Sequence, residues 1–327
     1  MKIDFVIPWV DGNDPEWIQD RNLFCGNKEF DESRYRDWGT LPYWFRSVEA
    51  YAPWVNKIYF ITYGHIPEWL NRSHPKLKII SHKDYIPEEY LPTFNSNTIE
   101  LNLHRIEGLS EHFVYFNDDT YLNAPVLPED FFQNGLPCNC AVLEPFVSVG
   151  TEDPYPHILL NDMSFLNRHF VKHAVIKKYF FKWYHPVYGK YILKNIYFAP
   201  GKYFSGLRNL HIPSSMTKST YRKVWNMDPE LLHNTCKHKF RREQDVNQNI
   251  MSYYDICSGS FAPRSAEFGK CYGIGQNNKQ LFSDLKREKH KLICINDHPF
   301  VADSQSEKEA LLKHLQNKLP DKSSYER

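Results

Sequence analysis

The sequence predicts an α/β fold: a Rossmann-like, mostly parallel sheet with a helical insert in the C-terminal half. Three observations carry that expectation. Short apolar runs alternate with helical-period segments over residues 1–130, the pattern of a parallel sheet with crossover helices. The chain then turns Pro-rich and loop-like over 125–160, and 161–260 reads as helices and loops without clean strand alternation. An apolar run returns at Lys291–Ile295 and leads into a last amphipathic segment. The 327 residues fit one large domain. Its parts are an α/β half (1–130), a mainly helical insert (160–260) and a closing strand and helix (290–327).

Taken in order, Ile3–Val10 is the first expected strand, ending in Trp9-Val-Asp-Gly-Asn-Asp-Pro15. Asp-Gly and Asn-Asp-Pro are loop signals. An aromatic (Trp9), two carboxylates (Asp11, Asp14) and an amide (Asn13) after strand one can also receive a nucleotide; a plain polar turn is the other reading. Leu41, Trp44, Phe45, Val48 and Tyr51 at helical spacing predict an amphipathic helix over 40–52. Lys57–Thr62 and Leu77–Ser81 follow as strands. Between Pro92 and Leu109, the stripe Ile99, Leu103, Ile106 and Leu109 predicts a helix, with Asn97 as its N-cap. Glu100, His104 and Glu107 then share another face, where Glu100 reads as a cap, a salt-bridge partner or a functional carboxylate.

Phe113–Phe116 is a buried strand that stops on Asn117, Asp118 and Asp119. Ligands bind at the carboxyl edge of open α/β sheets, and two adjacent carboxylates there repel unless a cation or donors compensate them. A simple turn is the other reading. Ala141–Leu143 is a further short strand candidate, and Phe240–Gln248 reads as the start of a helix. The last helix carries a capping box, Ser306-x-x-Glu309, and apolar Leu311, Leu312, Leu315 and Leu319, and stops at Pro320.

Lys plus Arg is 40 against 39 Asp plus Glu, a balance that points to no nucleic-acid partner. No apolar stretch approaches the ~18–20 residues of a membrane span, and no leader pattern follows Met1. The seven cysteines are scattered without a C-x-x-C pair, which reads as reduced thiols in a cytoplasmic protein. Cys138-Asn-Cys140 is too isolated for a zinc site. Aromatics reach 16 %. His173–Leu207 interleaves them with lysines, as in Lys177-Lys-Tyr-Phe-Phe-Lys-Trp-Tyr184. That segment reads either as a surface for an anionic membrane or as an insert whose aromatics fill its own core.

Several expected strands thus close on acidic or amide residues: Asp11 and Asp14, Asn117 to Asp119, Asn296 and Asp297. Hard oxygen ligands on one edge suit Mg²⁺ or Mn²⁺ holding a diphosphate. Phosphoryl transfer needs such a metal, cations on the equatorial oxygens and a base near the incoming hydroxyl. Arg241, Arg242 and Lys218 can supply the cations, and His211, Glu100 or an Asp the base.

Four regions of the chain resemble the Stealth family of sugar-phosphate transferases. They are Ile3–Pro15; Arg34 to about Pro128, with Ser47–Val55, Ile66–Leu70, Leu91–Ser96, His104–Leu109 and Asn117–Asp119; His211–Pro213 with Arg241–Gln248; and Ile293–Asp297 with the final helix. The resemblance implies a glycosyltransferase-A-like fold. It also implies transfer of sugar-1-phosphate from a UDP-sugar to a hydroxyl of a growing capsular polysaccharide, with release of UMP. Glu100, Asp119, His211 and Arg241 match the family's catalytic positions, with His211 as base and Arg241 on the phosphoryl oxygens. Trp9, Asp11, Asn13, Asp14, Arg105 and Asn117 are the expected nucleotide-sugar contacts, and Asp118, Asp119 and Asp297 the expected Mg²⁺ or Mn²⁺ ligands. On this reading 1–130 binds the donor, 160–260 faces the polysaccharide acceptor, and the enzyme is cytoplasmic, with peripheral contact on the inner face of the bacterial membrane. A metal-dependent glycosyltransferase would instead release UDP, and a glycan-binding protein would tolerate Asp119→Asn.

Overall fold

The computed structural model describes residues 1–25, 36–147, 154–275, 278–297 and 304–327; Arg34 and Tyr35, at the head of the second resemblance region, lie outside them. The first half runs β1 (Ile3–Pro8), α1 (Pro15–Cys25), α2 (Leu41–Tyr51), β2 (Ile58–Thr62), β3 (Leu77–Ser81), α3 (Ser96–Leu101) and β4 (His112–Tyr115). Its strands pair in parallel in the order β3-β2-β1-β4. Parallel strands covered on both faces need near-continuous apolar sequence, and β1, β2 and β4 supply it. The α/β expectation is met.

Beyond β4 the chain leaves this sheet. β5 (Thr120–Leu122) is followed by the short hairpin β6 (Phe132–Gln133) and β7 (Leu136–Asn139). Four helices follow: α4 (Tyr155–His169), α5 (Lys172–Lys178), α6 (Phe180–Trp183) and α7 (Ile192–Phe198). β8 (Ser214–Thr217) returns as an antiparallel edge strand on β4, in a stretch where the sequence suggests only helix and loop. Then come α8 (Lys218–Met227), α9 (Pro229–Lys237), α10 (Asn249–Ser258), β9 (Ala262–Pro263), β10 (Gly269–Gly273), α11 (Asn278–Arg287), β11 (Leu292–Asn296) and α12 (Ser304–Lys318). β11 does not join the main sheet: it lies between β10 and β5 in a second, three-stranded one.

Alternation along the strands divides the core. Val6, Ile61, Phe113 and Tyr115 face the helical half, packing with residues such as Tyr221, Val246 and Ile250. Phe5, Ile7, Phe60, Val114 and Phe116 face the other way, onto Trp44, Phe45, Leu311 and Leu315 of α2 and α12. Each large apolar side chain so buried contributes roughly 1.5–3 kcal/mol.

Four local expectations are corrected. The helix between Pro92 and Leu109 lasts only from Ser96 to Leu101, with Asn95 rather than Asn97 as the side-chain cap. Asn102 ends it by turning its amide to Thr98 O at 2.8 Å, so Glu100, His104 and Glu107 share no helical face. Ala141–Leu143 forms no strand; Leu143 makes a lone bridge to Leu207. Phe240–Gln248 is loop, and the helix starts at Asn249. Ser306 and Glu309 lie inside α12, which begins at Ser304.

Candidate functional site

Phe116 extends the β4 ladder by one bond, its N–H meeting Val6 O at 2.8 Å. The chain then reverses: Thr120 donates to Asn117 O through N–H (3.1 Å) and Oγ1 (2.8 Å). Tyr121 Oη donates to Asp118 O at 2.9 Å. Asn117, Asp118 and Asp119 therefore form the turn that joins the two sheets. From the far side, Ile295 N–H donates to Asp119 O at 2.8 Å, which draws the end of β11 and Asp297 to the same place.

Asp119 Oδ2 lies 3.2 Å from His211 Nε2 and 3.2 Å from Cys294 Sγ. His211 adopts φ 47°, a left-handed conformation uncommon outside glycine and a frequent mark of functional positions. Asn209 Oδ1 holds it there by accepting its N–H at 2.8 Å. Burial works against the imidazolium, but the Asp119 carboxylate overrides it by charge and hydrogen bond and raises His211 to about 9. Asp118 is raised to about 7, first by the surrounding protein and then by the charge of Asp119. It is nevertheless open to the water of the cleft, which tempers the first cause.

A second cluster lines the same cleft. Glu100 is buried, 6 % exposed. Burial raises its carboxyl, while the Arg241 charge and hydrogen bonds from Ser96, Tyr115 and the Gln248 backbone pull it back. Arg241 donates to Ser96 Oγ through Nε (3.1 Å) and Nη2 (2.5 Å). The loop carrying Arg241 is pinned by buried Asp245, which the sequence reading left without a role. Asp245 accepts from Asn95 Nδ2 (2.9 Å), Asn97 Nδ2 (3.3 Å) and the Arg242 N–H (3.0 Å), and meets His238 Nδ1 at 2.6 Å. Its only sequence signal was its place in Arg241–Gln248.

Both clusters line one cleft of about 1020 Å³, together with Trp9, Asn117, Arg36, Trp38, Phe240 and Asp297. The structure thus gathers Trp9, Glu100, Asn117, Asp118, Asp119, His211, Arg241 and Asp297. The other expected contacts make local bonds. Asp11 Oδ1 accepts from Asn13 N–H, and Asp14 Oδ1 caps α1 through the Trp17 N–H; neither these carboxylates nor Asn13 line the cleft. Arg105 is exposed and stacks 5.0 Å over Trp225. Arg36, 3.4 Å from Asp297 Oδ1, adds a cation that the sequence reading did not single out.

The site suits a divalent cation on one observation: Asp119 Oδ1 is buried without a hydrogen-bond partner among the described residues, beside a second carboxylate that its charge disturbs. Among the described residues, the ligand atoms gathered within 4.8 Å of one another are those of Asp119, His211 and Cys294; Asp118 and Asp297, whose carboxylates are the hard oxygen donors that Mg²⁺ or Mn²⁺ prefers, line the same cleft without joining that group.

Residues 1–28 match Stealth protein CR1, conserved region 1, and residues 34–138 match Stealth protein CR2, conserved region 2. The capsular polysaccharide phosphotransferase WcwK of Streptococcus pneumoniae is 41 % identical over 333 residues, covering 100 % of this chain and 98 % of its own. The chain belongs to the Stealth family. Other Stealth relatives include the exopolysaccharide phosphotransferase cps2G of Lactiplantibacillus plantarum, 39 % identical over 99 % of this chain and 96 % of its own. The receptor polysaccharide phosphotransferase WefC of Streptococcus gordonii is 39 % identical over 99 % of each. Glu100 and Asp119 fall within the second matched region. Among solved structures, the galactosyltransferase LgtC with donor and acceptor sugar analogs is similar over 98 % of each chain, at a TM-score of 0.41 and 11 % identity. The bifunctional glycosyltransferase WbbM is similar over 97 % of this chain and 50 % of its own, at a TM-score of 0.42 and 10 % identity.

Proposed function

We propose that this transferase moves sugar-1-phosphate, of a hexose or N-acetylhexosamine, from a UDP-sugar to a hydroxyl of a growing capsular polysaccharide. The acceptor oxygen forms a new bond to the sugar-proximal phosphorus, the diphosphate bridge breaks, and UMP leaves. The observation that carries this is the pairing of Asp119–His211 with Glu100–Arg241 across one cleft, together with relatives named polysaccharide phosphotransferases. His211 takes the acceptor proton and Asp119 orients its imidazole. Arg241, anchored on Ser96, stabilises charge on the phosphoryl oxygens. Asp118, Asp119 and Asp297 would hold Mg²⁺ or Mn²⁺, which when bound neutralises diphosphate charge. Trp9 and Asn117 are the expected donor contacts that the cleft geometry favours. The test is turnover on a panel of UDP-sugars with acceptor glycan: UMP as product is expected, and UDP would sink the reading in favour of attack at the anomeric carbon.

The reading extends to peripheral contact with the inner face of a bacterial membrane. Among the described residues no helix is long and apolar enough to cross a membrane. Residues 171–208 contain seven lysines and an arginine but no carboxylate. Trp183, Tyr188 and Phe204 of this segment fill the core, while Phe180, Phe181, Leu193, Ile196, Tyr197 and Tyr203 are exposed. On α7, Leu193, Ile196 and Tyr197 fall at helical spacing on one side, opposite buried Asn195. Apolar side chains ringed by lysines suit anionic headgroups.

A further inference from the structure

Two thiols stand beside the Asp119–His211 pair, and the transfer chemistry uses neither. Cys294 on β11 is fully buried, with its Sγ 3.2 Å from the same Asp119 oxygen that His211 Nε2 reaches at 3.2 Å. The sulfur, the nitrogen and a carboxylate oxygen lie within 4.8 Å of one another. A tetrahedral ion with bonds of ~2.3 Å to sulfur and ~2.0–2.2 Å to nitrogen and oxygen sets its ligands ~3.3–3.8 Å apart. The two 3.2 Å contacts to Asp119 fall a little short of that spacing, so the ligands need open only slightly to admit the ion. Cys271 faces Cys294 in the β10–β11 register, with the two sulfurs 3.2 Å apart, and is itself exposed. Asp119 Oδ1, buried and without a hydrogen-bond partner among the described residues, is an acceptor still to be satisfied.

Oxygen donors alone select Mg²⁺, Mn²⁺ or Ca²⁺, whereas thiolate and imidazole select zinc-class ions. Asp119 therefore stands between two donor sets: carboxylates on the side of Asp118, sulfur and imidazole on the side of Cys294. We propose that Asp119, His211 and Cys294, with Cys271 as a fourth donor, form a site for a thiophilic divalent cation of the zinc class. Occupation ties up His211 Nε2 and Asp119 together and so switches the transferase off. Exposed Cys271 gives the ion a way in, and buried Cys294 holds it once there. The proposal rests on the functional reading only for the consequence of binding; the site itself is a matter of donor geometry.

The test uses the full chain, freed of metal by a chelator and kept under a thiol-free reductant. Titration with Co²⁺ is expected to produce a thiolate-to-metal charge-transfer absorption in the near ultraviolet. That absorption should be lost in Cys294→Ala, weakened in Cys271→Ala and abolished by added Zn²⁺. Zn²⁺ is expected to inhibit transfer by the wild type. Cys294→Ala should keep its turnover with Mg²⁺ or Mn²⁺ and raise the half-inhibiting Zn²⁺ concentration by more than the ~10–100-fold that loss of an outer-shell partner costs. No charge-transfer band in the wild type, or one unchanged in both cysteine variants, overturns the site. Should Cys294→Ala fail to fold by circular dichroism, Cys294→Ser carries the same comparison. The cobalt readout needs no turnover, so it stands or falls apart from the proposed reaction.

Discussion

One oxygen of Asp119 is shared by His211 and Cys294, and the other is buried without a partner among the described residues. Losing the charge while keeping the shape, as in Asp119→Asn, removes what raises His211, whose pKa then falls from about 9 toward the ordinary ~6.5. Wild-type kcat/KM is expected to climb with pH to a plateau above about 9, because only the neutral imidazole accepts a proton. Asp119→Asn should reach its plateau at lower pH, with kcat down ~10³–10⁴-fold, as for an imidazole that loses its orienting carboxylate. A pH profile of both proteins decides it, and an unmoved inflection would remove Asp119 from that role. The linkage has a definite sign. His211 is raised on folding, so its contribution to stability is full below ~6.5 and fades as pH rises through about 9. The urea midpoint of the wild type should therefore drop across that window more than that of Asp119→Asn. Asp119 itself was legible in the sequence, since an apolar run halting on two carboxylates is a local pattern. Cys294 was not, because its meaning comes from pairing β11 with β5, and that brings together positions 175 residues apart.

The element that positions Arg241 is a loop, and it is held from outside itself. Spacing alone makes Phe240–Gln248 read as helical, but Asp245 accepts from two amides 150 and 148 residues away, on Asn95 and Asn97. Such satisfaction of a buried carboxylate outweighs the few tenths of a kcal/mol by which most residues differ in helix propensity. Asp245→Ala strands several buried donors, each costing about 1–3 kcal/mol, so a loss of roughly 3–5 kcal/mol is expected in chemical denaturation. Activity should fall further than stability at temperatures where the variant remains folded; a fall in proportion to the unfolded fraction would mean that the loop needs no anchor. Gly269 plays a comparable part on the His211 side. A Cβ there would stand 2.7 Å from Ile212 Cγ2 and 2.8 Å from Leu292 O. Gly269→Ala should push the His211 segment off β10 and raise KM for the acceptor, which steady-state kinetics will read. The short α3 was half legible: its buried stripe is real, but the break at Asn102 is set by side-chain bonds to Thr98 O and Cys236 Sγ.

For the whole molecule, the order β3-β2-β1-β4 and the two-faced core follow from apolar alternation that the chain states openly. The edge strand β8 and the second sheet do not, since both are short and recruited by distant partners. In the aromatic segment, part of the aromatic content lies in the core and part is exposed. Phe181 is 85 % exposed and Tyr197 77 %. Replacing both with Ser should lower co-sedimentation with anionic vesicles at low salt ~10-fold or more and leave turnover on a soluble acceptor intact. Wild-type protein that stays in the supernatant would end the membrane reading.

The cleft joins Ser96 to Arg241, Asp119 to His211, and Asp119 to Cys294, across 145, 92 and 175 residues of chain. Contacts so distant along the chain close late, after the loop entropy of the intervening segments has been overcome. During synthesis the parallel sheet can form while β11 is still unmade, so the growing chain has a fold before its candidate site is complete. On refolding from urea, ellipticity should recover ahead of turnover, with a measurable lag between them. Competence to transfer is thus the property expected last.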